Sequence, residues 1–257
     1  MFKRYIQYLL ASKNEHAIHS PFVFELYTRI IKAKEAKSEQ FRLIESLRKR
    51  LLKDTTVIEI TDFGAGSKIY NSNLREIRQI AQGAEKPSKF GKLLFRLIQH
   101  FKPKTIFDLG TSLGMTTLYE AKANANAQVI TFEGCPTTAK IAQDNFNALN
   151  AKNIEIVVGN LDETLQSEIQ KIEQLDFAFF DANHRYEPTV KYFEICLQKA
   201  TESSLFIFDD IHWSEEMQDA WHYIKAHPQV MITIDLFFIG LVFFRKNQPK
   251  QDYILRF

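Results

Sequence analysis

Apolar positions follow two different rhythms along the chain. Phe2, Tyr5, Ile6, Leu9 and Leu10 recur at helical spacing and predict an amphipathic N-terminal helix. Lys3 and Arg4 ahead of the Tyr5–Ala11 stretch give it the outline of a secretory signal. Gln7 interrupts the apolar run, however, and Lys13, Asn14, Glu15 and His16 follow at once, which favours the helix. Ser20 followed by Pro21 is a helix start, with serine as cap and proline at the first helical position. Phe24, Tyr27, Ile31, Phe41, Ile44 and Leu47 would carry that helix to about Leu52, with the polar stretch from Lys32 to Gln40 as a break in it. A further helix is predicted over Ser88–Phe101, ended by Pro103.

From Thr105 the rhythm changes to short runs rich in Ile, Val and Phe: Thr105–Leu109, Gln128–Phe132, Ile154–Val158, Phe177–Phe180 and Leu205–Phe208. Helix-length segments near 114–124, 136–149, 161–174, 187–200 and 214–227 separate them. Strands alternating with helices predict βαβ units, and continuously apolar strands predict a sheet covered on both faces. Val230–Leu236 and Ile239–Phe244 have almost nothing between them, so they must pair antiparallel. The expected fold is α/β: a doubly wound, mostly parallel seven-stranded sheet with a C-terminal antiparallel hairpin. A helical segment, 1–87, precedes the principal domain, 88–257.

Composition sharpens this in three ways. At 257 residues, 45% hydrophobic and 25% charged, the chain can bury a core. Cys135 and Cys196 allow at most one disulfide and no thiolate zinc site, which points to a reducing, cytoplasmic setting. The longest apolar run, Leu236–Phe244, is too short to span a bilayer, so no membrane partner is expected. The net charge of +2 hides an asymmetry: residues 1–104 carry 21 Lys/Arg against 10 Asp/Glu, residues 105–257 carry 12 against 21. Two segments with different tasks are implied.

The most informative segment is Asp108-Leu-Gly110-Thr-Ser-Leu-Gly114. A strand ends at Leu109, a turn containing Gly110, Thr111, Ser112 and Gly114 follows, and a helix begins. Glycines there let the backbone approach a ligand, and the helix start offers unpaired N–H groups. The next strand ends in Glu133, 23 residues after Gly110, about where an acid takes a ribose hydroxyl pair. The spacing is not the G-x-G-x-x-G of a dinucleotide turn. Asp108 brings an anion, which suits an amine or a sulfonium better than a pyrophosphate.

These residues resemble the first two motifs of class I S-adenosylmethionine-dependent methyltransferases. The likeness covers roughly 88–245 and leans toward the small-molecule O-methyltransferase branch of catechol and caffeoyl-CoA enzymes, where a helix like Lys89-Phe-Gly-Lys-Leu-Leu94 also precedes the first strand. It implies a Rossmann-like fold, with Asp108 and Gly110 at the methionine end of the cofactor, Glu133 at the ribose and Asn160 near the adenine. A second acid–glycine stretch, Asp62-Phe-Gly-Ala-Gly-Ser67, lacks the following acid-ended strand; it reads as a bend or as a lid.

Asp181, Asp209 and Asp210 all emerge at the carboxyl ends of predicted strands. Three nearby carboxylates repel unless protonated or paired with cations, and Mg²⁺ or Ca²⁺ would explain them. The structural alternative is that Asp209 or Asp210 caps the helix near Ser214, with Asp181 holding a loop. In metal-dependent O-methyltransferases an Asp after strand four and an Asp-Asn pair after strand five hold the cation. Here the pair is Asp209-Asp210, a departure that leaves metal binding open. His184 stands where those relatives carry a general base, usually lysine, and an imidazole suits proton abstraction at neutral pH. Asp181 is a second candidate for that role and a further cofactor contact; His212 shares the ambiguity of His184. Trp213, Tyr186 and Trp221 are candidate pocket walls, with helix core the simpler reading of Trp221.

The resulting expectation is methyl transfer from S-adenosylmethionine to oxygen of a small molecule, possible without a covalent enzyme intermediate. One alternative is an RNA methyltransferase, suggested by the basic N-terminal segment. The scattered cations and the missing Asn/Asp-Pro-Pro-aromatic signature speak against it. A nicotinamide dehydrogenase is disfavoured by the glycine spacing and the terminal hairpin. A non-catalytic binding protein on the same fold is the third alternative. The N-terminal helices are expected over the cofactor cleft or at a homodimer contact.

Overall fold

The computed structural model describes residues 1–33, 38–61, 73–83, 87–246 and 248–257. In chain order its elements are α1 (Phe2–Ala11), α2 (Pro21–Leu26), α3 (Glu39–Leu51), β1 (Val57–Glu59), β2 (Leu74–Glu76), α4 (Ile77–Gly83) and α5 (Ser88–Phe101). There follow β3 (Thr105–Leu109), α6 (Met115–Ala123), β4 (Gln128–Glu133), α7 (Pro136–Ala148), β5 (Ile154–Val158), α8 (Leu161–Lys171), β6 (Leu175–Phe180) and α9 (Tyr186–Leu197). The chain closes with β7 (Ala200–Asp209), α10 (Glu215–Ala226), β8 (Ile232–Asp235), β9 (Ile239–Phe243) and β10 (Gln251–Ile254).

Two compact units divide these elements: residues 34–164, and residues 1–33 with 165–257. In the first, β3, β4 and β5 run parallel in that spatial order, with Asp108 opposite Thr131. Ile106, Phe107, Leu109, Val129 and Phe132 are buried on these strands, and the rings of Phe107 and Phe132 meet at 5.3 Å. A separate antiparallel ribbon joins β1 to β2. In the second unit the order is β10-β8-β9-β7-β6. There β9 alone is reversed: β6 and β7 are parallel, β9 is antiparallel to both β7 and β8, and β10 is parallel to β8. Phe180 stacks on Phe208 at 4.2 Å within an aromatic core that includes Phe177, Phe179 and Phe206.

The α/β class, the mostly parallel sheet and the reversed strand are as the sequence predicts. The strand count is corrected: β10, which was not predicted, adds a strand beside β8. Its exposure alternates and its first two residues are Gln251 and Asp252, so it lacks an apolar run. β7 starts at Ala200, five residues before the predicted Leu205, because Thr201, Glu202 and Ser203 are polar. The helix expected from Ser20 does start there: the Ser20 hydroxyl accepts from the Val23 N–H. It passes into a π-helical turn over Tyr27–Ile31 and is not continuous with α3. The Asp62–Ser67 stretch lies outside the described residues.

Candidate functional site

The glycine-rich turn between β3 and α6 is built as a cradle. Gly110 and Gly114 have φ of +124° and +82°, the left-handed region that glycine tolerates at no steric cost. Ser112 also has positive φ, at +49°. Gly114 is the N-cap of α6, and a Cβ there would come within 2.4 Å of Phe146 Cε1, so this position admits no side chain. The Thr111 N–H donates to the Phe132 carbonyl at 2.9 Å, tying the turn to the end of β4.

Asp108 has no exposed surface. Its Oδ2 accepts from the Thr117 hydroxyl at 2.5 Å and from the Thr131 hydroxyl at 2.9 Å. Thr131 in turn meets the Thr111 hydroxyl at 2.6 Å. A buried carboxylate is costly without such donors. Thr117 and Thr131 were not singled out from the sequence; the parallel register that sets Thr131 opposite Asp108 is the signal that finds one of them.

Glu133 ends β4 and reaches back to the turn. Its Oε2 accepts from the Ser112 N–H at 2.8 Å and its Oε1 from the Cys135 N–H at 2.9 Å. A carboxylate can accept about four hydrogen bonds, so these two peptide donors do not by themselves exhaust it. The acid and the glycine turn, 21 residues apart in sequence, therefore form one structural piece. Asn160 does structural work as well: its Oδ1 accepts from the Asp162 N–H at 3.0 Å, capping the start of α8. Cys135 precedes α7. Burial pushes its thiol up, but hydrogen bonds from Thr138, Thr61 and Thr137 outweigh that and hold it below the ordinary range.

The second group belongs to the other unit. Asp181 follows β6, Asp209 ends β7, and His184 stands in the loop before α9. One ligand atom from each of Asp181, His184 and Asp209 falls within 4.8 Å of the others. His184 Nε2 lies 3.2 Å from Asp181 Oδ1. The loop is strained to achieve this: Asn183 and His184 have φ of +65° and +36°. Asp210 does not join the group; it turns into left-handed backbone at φ +51°, and its N–H donates to the Phe238 carbonyl. Of the three aspartates considered as ligands, Asp181 and Asp209 thus lie together, with His184 beside them. Two carboxylates and an imidazole at this spacing fit a divalent cation, the imidazole widening the choice beyond Mg²⁺ to metals such as Mn²⁺.

The capping alternative for the two aspartates is not what the structure uses. Ser214 caps α10, its hydroxyl accepting from the Met217 N–H at 3.1 Å. Trp221 is buried core, packed so closely that a Cβ on Gly240 would fall 2.6 Å from its ring. Trp213 is exposed, and Tyr186 is half-buried with its ring edge toward Tyr223. His212 is held apart from the donor group, with Nε2 2.7 Å from Asp235 Oδ2 and its ring stacked on Phe237.

Comparison with known proteins shows what this segment is similar to. The family model described as a methyltransferase domain matches residues 107–211, the segment that holds the cradle and the donor group. A catechol O-methyltransferase of Niastella koreensis is 29% identical over 124 residues, 47% of this chain and 55% of the relative. The O-methyltransferase imqG of Aspergillus flavus is 28% identical over 114 residues, 42% of this chain and 45% of the relative. The chain thus matches about half the length of these curated relatives. Among solved structures, a Bacillus cereus O-methyltransferase in complex with SAH superposes with a TM-score of 0.58 at 19% identity, covering 85% of this chain and 94% of that one. That likeness shows the fold.

Proposed function

We propose that this chain, with its methyltransferase domain at residues 107–211 and the fold of the O-methyltransferases, transfers a methyl group from S-adenosylmethionine to an oxygen of a small molecule. The observation that carries the reading is Glu133, whose two oxygens hold the Ser112 and Cys135 peptides and so fix a carboxylate beside a glycine turn. That is the arrangement a ribose diol and an adjoining cationic centre require. Thr111, Ser112 and the glycines shape the turn, Asp108 supplies buried negative charge behind it, and Asn160 shapes the β5–α8 connection toward the adenine. We assign the machinery to 88–257, with 1–87 as a preceding segment.

S-adenosylmethionine would be held at the turn of Gly110–Gly114 and by Glu133, and would supply an activated methyl on sulfonium sulfur, the sulfur keeping the bonding pair when an acceptor oxygen takes the methyl. The chain's own residues must orient that acceptor and take its proton. In this reading His184 is the base through Nδ1, its Nε2–H oriented by Asp181 Oδ1 at 3.2 Å, and Asp209 completes the polar group. A divalent cation, where one binds, would be held by Asp181, His184 and Asp209 and would lower the acceptor's pKa, lessening the need for a protein base.

Local pairing of basic N-terminal side chains weighs against the nucleic-acid alternative. Several pair locally with acids, as in Arg29–Glu25 at 2.8 Å, Arg42–Glu39 at 2.6 Å and Arg48–Glu45 at 3.6 Å. Cys135 and Cys196 are free and buried, which suits the reducing, cytoplasmic setting proposed here.

The test is turnover of S-adenosylmethionine to S-adenosylhomocysteine with a panel of diphenols, with Mg²⁺, with Mn²⁺ and with chelator. The reading predicts acceptor-dependent turnover that His184→Gln lowers by about 10²–10⁴-fold. Tight S-adenosylhomocysteine binding with no turnover under any condition would instead favour the binding-protein alternative.

A further inference from the structure

We infer that α1 is a docking element for an anionic lipid surface, a property separate from methyl transfer; the expectation of no membrane partner rested on the lack of a bilayer-spanning run, which surface docking does not need. One side of this helix is already committed. The Tyr5 and Tyr8 rings pack on Phe237 at 4.8 and 5.3 Å, and the Tyr8 hydroxyl donates to the Leu255 carbonyl at 2.5 Å. Arg4 donates to the carbonyls of His212 and Trp213, both at 3.3 Å. These contacts fix the rotation of the helix about its axis, and they leave Phe2, Ile6 and Leu10 facing outward. Those side chains are 79%, 42% and 84% exposed. Spacing of four places all three on one face, so the result is a continuous apolar stripe on a pinned helix. Single exposed apolar residues need no explanation, but a stripe held outward in this way does.

The charge around the stripe selects the occupant. Residues 1–14 contain Lys3, Arg4 and Lys13 and no Asp or Glu. Lys3 and Lys13 are exposed. The nearest acid in sequence, Glu15, is turned toward Lys32 at 4.0 Å, and Glu215 is turned toward Arg4 at 3.9 Å. Two copies of α1 packed face to face would bring these cations together. A surface of anionic headgroups over an apolar interior complements both features at once. At ten residues the helix is about 15 Å long, so it would lie in the interface and not span it.

The experiment is co-sedimentation of the whole chain with phosphatidylcholine vesicles and with equimolar phosphatidylcholine–phosphatidylglycerol vesicles, at low and high salt. The expected result is binding to the anionic vesicles alone, weakened by salt. Phe2→Ser with Leu10→Ser removes apolar surface that is already exposed, and should weaken binding by about tenfold or more. Lys3→Glu with Lys13→Glu should weaken it comparably while leaving the stripe intact. Methyl transfer in solution should be unchanged by either pair, which separates this inference from the proposed activity. Failure to bind anionic vesicles would overturn it. So would serine variants that bind as well as the parent, or a parent dimer that those variants convert to monomer.

Discussion

Asp108 shows most directly how individual residues make the cradle. Its fully buried carboxylate takes hydroxyl donors from Thr117 and Thr131, and Thr131 extends the network to Thr111 in the turn. Thr131→Val keeps the shape and removes the donor. It should cost about 1–3 kcal/mol in urea unfolding, because the buried acceptor loses a partner that water cannot replace. An unchanged midpoint would mean that this hydroxyl contributes nothing. Gly114→Ala should cost about 1–3 kcal/mol as well, since its methyl would meet the Phe146 ring at 2.4 Å on backbone with φ of +82°. The acid and the glycines were legible in the sequence because their roles depend on spacing along the chain. Thr131 was not, because its role depends on register across β3 and β4, nor was Thr117, which reaches Asp108 from α6. The same distinction explains His184. Its position after Asp181 was visible, whereas its convergence with Asp209 required the strained loop at Asn183.

At the scale of elements, the C-terminal residues tie the N-terminal helix down. Tyr8 is buried and donates its phenolic proton to Leu255, just past β10. Burial, and then the charge of Asp235, push its pKa well above the ordinary tyrosine value. The folded chain therefore holds this proton at pH values where the unfolded chain releases it. Its stabilising contribution is complete below about pH 10 and declines as pH rises above that. Unfolding free energy measured across this alkaline range should fall, and Tyr8→Phe should make the fall shallower. Tyr27, raised mainly by burial, contributes in the same sense, so the slope should not vanish. An identical slope in Tyr8→Phe would contradict the assignment. At the other connection, Ser214→Ala should cost about 1 kcal/mol by removing the cap of α10. β10 escaped sequence reading for a physical reason: an edge strand with an alternating exposed face needs no apolar run, and its partner β8 is a tertiary fact. The long buried strands β3, β4 and β6 declared themselves because both faces are covered.

For the molecule as a whole, the account makes the cradle a binding site before anything else. Ligand that binds only the folded chain raises its stability by an amount set by concentration over Kd, about 2.7 kcal/mol at a hundredfold excess over Kd. S-adenosylhomocysteine should therefore raise the thermal midpoint in a concentration-dependent way, while NAD should not. The most direct test is titration calorimetry of S-adenosylhomocysteine into the parent chain and into Glu133→Gln. The amide keeps the size of the side chain but exchanges one acceptor oxygen for a donor, which cannot serve a peptide N–H or a ribose diol as the carboxylate does. The account predicts saturable binding to the parent and affinity lower by about tenfold or more in the variant. No uptake by the parent, or equal affinity in the two chains, would contradict it.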